Sequence, residues 1–334
     1  MRHQGLDIAR FVAFSGMVLV NFRIAANVTE TGNWAADFTH LLEGRAAALF
    51  VVLAGIGISL AHPSPSLMVR RGVFLIVIGL INQTVFEADI LHYYGVYFLV
   101  AILALRLSPT ALVAASGAVI LLATMALVLF DYEAGWNWDT LEYSGFWTLS
   151  GFIRNLFYNG WHPVFPWLAF LLFGMFLGRL PLGHGPLQIL LLVGGICGAI
   201  AVTLISIALS FDPELVDLVG LSPIPPGPFY MLAGIASSCA MLGAVLLATP
   251  WLARLRLASL MALTGRQSLT LYIAHIFIGM GALETLGYLD SRLSSGEIFA
   301  FSVGFIVVCL AYAKLWSMAY SRGPIEMAMR RICG

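Results

Sequence analysis

Residues 6–22, LDIARFVAFSGMVLVNF, are apolar enough to enter a bilayer, yet they carry Asp7, Arg10 and Asn21. Charge in hydrocarbon is costly, so such residues normally face a bundle interior or a water-filled cavity and mark function. Asp7 and Arg10 are three apart and share a helix face. Arg10 and Asn21 are eleven apart, about 1100° of rotation and about 16 Å along the axis, so they are nearly in line. One face of the first helix is therefore polar from near one membrane surface to past mid-depth. The plainer reading is an Asp–Arg staple, or an arginine snorkelling to the headgroups.

The rest of the chain repeats the apolar character. Of its 334 residues, 60% are hydrophobic and 10% charged, a composition that belongs in lipid. Segments near twenty residues match a hydrocarbon core of about 30 Å. The pattern predicts an all-α polytopic membrane protein of about ten helices, at 6–25, 45–61, 68–84, 90–106, 109–130, 163–180, 186–210, 228–249, 262–283 and 297–319. Residues 1–334 then form a single transmembrane domain. The first span has charges at its head and no small-residue cleavage site, so it reads as retained rather than as a signal peptide.

Arginine placement gives the orientation. With both termini cytoplasmic, the inner side receives Arg2, Arg70, Arg71, Arg106, Arg179, Arg254, Arg256, Arg266, Arg322, Arg330 and Arg331. The outer side receives Arg23, Arg45, Arg154 and Arg292, which is the positive-inside bias. Most acids, among them Glu87, Asp89, Asp131, Glu133, Asp212, Glu214 and Asp217, fall outside. No basic stripe or nucleic-acid motif accompanies the zero net charge. Cys197, Cys239, Cys309 and Cys333 have no metal-ligand spacing and read as apolar fillers, so no metal is expected.

The outer loop 131–162 is dense in aromatic residues, including Trp136, Trp138, Tyr143, Trp147 and Trp161. Its segment GFWTLSGFIRNLFYNGW is expected to form an interfacial or re-entrant helix, because Arg154 and Asn155 interrupt it. PIPPGP, 223–228, reads as a stiff, non-helical entry to the eighth helix. Gly174 with Gly178, and Gly194 with Gly198, are four apart and suit close helix packing.

Histidine is the natural general base near neutral pH. His3 is a tail residue. His40 lies in the first outer loop, three residues before Glu43 and five before Arg45. His92 stands beside Asp89 at the outer start of the fourth helix, and His162 precedes Pro163 at the start of the sixth. His275, inside LYIAHIF, serves equally as a polar anchor between helices or as a site group. No HEXXH, Walker, GXSXG or dinucleotide motif is present, which excludes those hydrolases, ATPases and dehydrogenases. The residues alone leave an enzyme and a transporter of a small polar metabolite both open.

A resemblance carries the reading further. LDIARFVAFSGMVLVNF resembles the first-helix signature of a superfamily of transmembrane acyltransferases, which includes heparan-alpha-glucosaminide N-acetyltransferase and, more distantly, the acyltransferase-three proteins of bacterial surface-glycan modification. ALFVVLAGIGISL, VFPWLAFLLFGMFLGR, LTGRQSLTLYIAH and RGPIEMAMRRI are similar, in order along the chain, to the YeiB-like family of bacterial inner-membrane proteins. The resemblance implies transfer of an acyl group, usually acetyl from coenzyme A, to a hydroxyl or amine at the opposite membrane face. The acceptor would be an envelope sugar or a lipid headgroup, in the bacterial inner membrane, and a homo-oligomer is compatible with it. Acyltransferase-three proteins carry a His where this chain has Asn21, whereas the glucosaminide enzyme has Asn there. The latter's catalytic His follows in the first luminal loop at a spacing that falls on Gly32 here, and the nearest histidine is His40.

Acyl transfer from a thioester needs a base and donors for a tetrahedral oxyanion. The resemblance makes His40 the candidate base, with Glu43 or Asp37 to orient it and Asn21 to donate to the oxyanion or bind the thioester carbonyl. Arg10, with Arg70 and Arg71, would hold the donor's phosphates, and Asp7 would fix Arg10. Arg45, His92, His162 and His275 complete the candidate substrate-binding set. The competing readings are an exporter using the same polar cavity and a catalytically degenerate binding subunit.

Overall fold

The computed structural model describes residues 4–138, 140–211, 215–289 and 293–334. Arg2, His3, Asp212, Glu214 and Arg292 lie outside the described residues. The chain is almost wholly helical: α1 Gln4–Ala25, α2 Trp34–Leu42, α3 Arg45–Ala61, α4 Pro65–Gln83, α5 Leu91–Ala101, α6 Pro109–Leu129, α7 Leu149–Arg154 and α8 Val164–Leu177 come first. They are followed by α9 Gly185–Leu209, α10 Val216–Val219, α11 Pro228–Arg254, α12 Leu257–Gly265, α13 Ser268–Ala274, α14 Gly281–Thr285, α15 Ser295–Trp316 and α16 Pro324–Cys333. A two-stranded hairpin, β1 Trp136–Asn137 and β2 Glu142–Tyr143, decorates the loop after α6.

Among the described residues, eight helical runs are long and apolar enough to cross a membrane, with α2 and α3 counted together as Trp34–Ala61. A ninth is added if Leu149–Asn159 and Val164–Leu177, bent by 47°, form one span. Leu91–Ala104 is apolar but shorter. Each of the ten predicted segments thus falls on helix, while length and composition support eight or nine crossings. Large side chains left bare on these helices, such as Leu122, Leu204 and Val308, are what a lipid-facing surface consists of.

Three departures from the sequence reading have local causes. The stretch between the first two predicted spans holds α2, started by Asn33, whose side chain accepts from the Ala35 and Ala36 backbone N–H groups as an N-cap. The predicted span 262–283 is broken at Arg266–Gln267 and passes through a π turn, His275–Met280. In VGGICGA it is Gly195 that comes closest to its neighbour helix, since a Cβ there would lie 2.4 Å from the Ala240 nitrogen; Gly198 faces the same helix, its Cβ position 3.4 Å from the Ala236 Cβ, and Gly194 does not. Gly174 does pack as predicted, with a Cβ position 2.1 Å from the Val52 carbonyl oxygen.

The described contacts divide the chain into two compact units, Met1–Phe50 with Met241–Ile332, and Val51–Ala240 with Cys333–Gly334. In the first, α1 packs along α12 and α15, and α2 packs on α1 and α15. Phe22 of α1 meets Phe301 and Phe305 of α15 at 5.7 and 5.3 Å, and Trp34 of α2 sets its edge on Phe299 at 4.9 Å. In the second unit α4 pairs with α5, α6 with α8, and Trp167, Phe170 and Tyr230 form a buried aromatic centre.

Candidate functional site

The polar face of α1 is satisfied within the first unit, at both ends of the helix. Near the amino-terminal end Asp7 is 2% exposed, accepts from Arg10 Nη1 at 2.5 Å, and lies 3.9 Å from Arg266 Nε. One carboxylate thus serves two guanidinium groups that are themselves partly exposed. The close approach of α12 makes this arrangement: a Cβ on Gly265 would fall 1.8 Å from the Asp7 carbonyl oxygen. Arg266 was not among the sequence candidates. It stood in a predicted span with no local partner, and its partner is some 260 residues away in the chain (Asp7 and Arg266).

About 20 Å along the helix from Arg10, thirteen residues at about 1.5 Å each, stands Arg23. Arg23 is 6% exposed although arginine is strongly hydrated. Its Nη2 donates to Glu43 Oε2 at 2.5 Å, and its Nη1 lies 2.9 Å from His40 Nε2 and 3.3 Å from His40 Nδ1. His40 Nδ1 is in turn 3.4 Å from Glu43 Oε2. Because arginine only donates, the imidazole nitrogen that accepts from it is unprotonated. Arg45, at the start of α3, donates to the Glu43 carbonyl at 3.3 Å. Arg23 Nε has no hydrogen-bond partner. The sequence marks Arg23 as an outer-side charge, and the structure makes it the residue that gathers His40 and Glu43. Asp37 is exposed on α2, and it is Glu43 that reaches the ring.

Between these ends, Asn21 Nδ2 lies 3.0 Å from His275 Nε2. His275 Nδ1 bonds the Tyr272 carbonyl, which can only accept, so Nδ1 carries the hydrogen and Nε2 takes one from Asn21. The ring is 0% exposed, stacked on Phe22 at 6.3 Å and edge-on to Phe14 at 6.4 Å. Every polar atom of that imidazole is therefore spoken for, and Asn21 has one amide hydrogen committed to it.

The remaining candidates belong to the second unit. Arg70 is exposed and Arg71 half-buried on α4. His92, buried at the start of α5, lies 3.5 Å from Asp89 Oδ2, and Asp89 also accepts from Asn82 and the Leu91 backbone. His162 sets its ring against Trp167 at 4.6 Å, while its carbonyl accepts from the Tyr97 hydroxyl. Among the described residues no group of three or more His, Cys, Asp or Glu is placed to hold a metal ion.

Two family models match the chain, and each covers parts of both units. The model of the family described as heparan-alpha-glucosaminide N-acetyltransferase, catalytic, matches residues 2–192. A family described as a protein of unknown function (DUF418) matches residues 180–333. No curated protein and no solved structure matches.

Proposed function

The chain belongs to the heparan-alpha-glucosaminide N-acetyltransferase catalytic family, a multi-pass membrane protein of the acetyltransferase class, and from that premise we propose that it moves an acetyl group from cytoplasmic acetyl-coenzyme A to a sugar or lipid-headgroup acceptor at the outer face of a bacterial inner membrane. The observation that carries the reading is a single helix, α1, with a guanidinium pair at one end and a histidine–carboxylate pair at the other. Ten spans with both termini cytoplasmic, supported by the arginine distribution, put Arg10 and Arg266 on the donor side and His40 on the acceptor side.

Each residue then has a task that its surroundings fit. Arg10 and Arg266 offer planar donor forks to donor phosphates, with Asp7 fixing their position. His40 takes the proton from the acceptor amine or hydroxyl as that group attacks the thioester carbonyl. Glu43, beside Nδ1, orients the ring, and Nε2 is the basic atom once the acceptor takes the place of its bond from Arg23 Nη1. Arg23, with its unused Nε, supplies donors to the oxyanion that forms. Attack forms the new C–N or C–O bond, collapse of the tetrahedral oxyanion breaks the C–S bond, and His40 returns its proton to the departing thiolate. Asn21 and His275 act as a positioning pair that fixes α1 against the helix carrying His275.

Calorimetric titration of acetyl-coenzyme A into detergent-purified protein tests the donor end. Binding that weakens about tenfold or more in Arg10→Ala, with the melting temperature retained, is the expected result, since a charge-assisted contact to phosphate is worth about 1.5–3 kcal/mol. Equal affinity in wild type and variant removes Arg10 from the donor site.

A further inference from the structure

A cavity of about 290 Å³ in the second unit is lined by Gln83, Glu87, Tyr143, Gly145, Phe146, Trp147 and Thr148. None of these residues takes part in the acyl-transfer reading. Its polar groups share one character. Gln83, at the end of α4, is 8% exposed, and its Oε1 is buried without a hydrogen-bond partner. A buried acceptor left unmatched costs free energy, so its presence on a cavity wall marks a place where a donor arrives. Glu87 adds a carboxylate whose Oε2 accepts from the Tyr143 backbone at 3.2 Å. Burial lifts the Glu87 carboxyl above its ordinary range, with nearby Glu142 adding to the rise and the Tyr143 hydrogen bond opposing it.

The other walls are aromatic and held in place. Tyr143 is pinned through its hydroxyl, which donates to Asn159 Oδ1 at 2.7 Å and accepts from Arg154 Nε at 2.7 Å. Phe146 packs edge-on to Phe152 and His92 at 5.5 and 5.9 Å. Trp147 is 68% exposed, an unusual state for a tryptophan on a folded loop, and it stands at the cavity. Thr148 caps α7 by accepting from the Gly151 nitrogen at 3.1 Å.

We propose that this cavity is a binding site for a primary ammonium group. The choice follows from the donor and acceptor inventory. A ligand must bring hydrogens to Gln83 Oε1, positive charge to Glu87, and tolerate or favour aromatic faces. A primary ammonium satisfies all three with its three N–H donors, whereas a quaternary ammonium has no hydrogen for Gln83, a neutral amide brings Glu87 no charge, and an anion is repelled by the carboxylate. The site stands on residues of the second unit alone and is independent of the transferase reading. A soluble amine and an ethanolamine lipid headgroup present this same group.

Titration calorimetry on the full-length protein in phosphatidylcholine nanodiscs tests it with two matched pairs. Ethanolamine against choline removes the N–H donors and keeps the charge; glucosamine against N-acetylglucosamine removes the charge and keeps the ring. The expected result is binding of ethanolamine and glucosamine at least about tenfold tighter than of their partners, lost about tenfold in Glu87→Gln and in Gln83→Leu. Trp147→Ala, on an exposed loop position, weakens the same amines without touching the helix core and serves if a Gln83 variant fails to fold. Repeating the titration in phosphatidylethanolamine nanodiscs separates the sources: competition assigns the site to the headgroup, and unchanged affinity to a soluble amine. Choline binding as tightly as ethanolamine, or amine binding that is absent from the wild type or unaltered by Glu87→Gln, overturns the proposal.

Discussion

Replacing Glu43 by Gln removes one charge from the Arg23–His40–Glu43 cluster while keeping shape and an oxygen that can still accept from Arg23. A hydrogen bond to a charged partner contributes about 1.5–3 kcal/mol and a neutral one about 0.5–1.5 kcal/mol, so the exchange costs on the order of 1 kcal/mol. The Arg23 side chain is 7% exposed and that of Glu43 31%, so solvent screens one end of the pair and holds the cost to the lower part of that range. At about 2–4 °C per kcal/mol for larger domains, Glu43→Gln should melt roughly 2–3 °C below wild type. Glu43→Ala should do worse, by about 2 kcal/mol or more, because it leaves a nearly buried guanidinium with His40 as its one remaining polar neighbour in the cluster. Melting curves of the three proteins in one detergent, read by tryptophan fluorescence, give the comparison. If Glu43→Ala melts with the wild type, Arg23 is not held by this carboxylate and the geometry of the site is wrong.

Two further substitutions probe the helix contacts that position the site. Gly265→Ala puts a methyl group 1.8 Å from the Asp7 carbonyl oxygen, so α1 and α12 must separate, which should cost about 1–3 kcal/mol and weaken acetyl-coenzyme A binding through Asp7 and Arg10; an unaltered melting temperature contradicts the packing. Glu326 of α16 accepts from the Leu269 and Thr270 nitrogens at 2.8 and 3.2 Å, capping α13 from far along the chain. Burial raises its carboxyl above the ordinary value despite these bonds and that from the Thr270 hydroxyl. The folded chain therefore keeps this proton to higher pH than the unfolded chain, and the stabilisation, full below about pH 4.3, is lost as pH rises through the folded value. Melting temperatures of wild type and Glu326→Gln between about pH 4 and 7 should move in the variant's favour as pH rises, and parallel curves refute the shift.

The apolar segments were legible because hydropathy over about twenty residues is a local property, and Asp7 with Arg10 because three residues apart means one face. The short α2 does not stand out in the sequence because Trp34–Leu42 lies beside an apolar run, although Asn33 before it is a capping residue. Arg23 was read as a charge at a helix end, since nothing local shows that a residue of the last turn will be buried. The Asn21–His275 bond joins positions 254 apart, and no single-sequence pattern encodes such a contact. Gln83 is silent in the sequence for the same reason: its unmatched oxygen is defined by what packs around it, and amides near helix ends are ordinary.

The most direct test of the central claim measures transfer itself. Proteoliposomes loaded on one side with radiolabelled acetyl-coenzyme A and supplied with amino-sugar acceptors on the other should release labelled acceptor. His40→Ala should lower that rate by about 10²–10⁴-fold, the usual contribution of a general base, with acetyl-coenzyme A affinity unchanged. Full turnover by His40→Ala would contradict the account, because the imidazole held between Arg23 and Glu43 would then have no part in the chemistry.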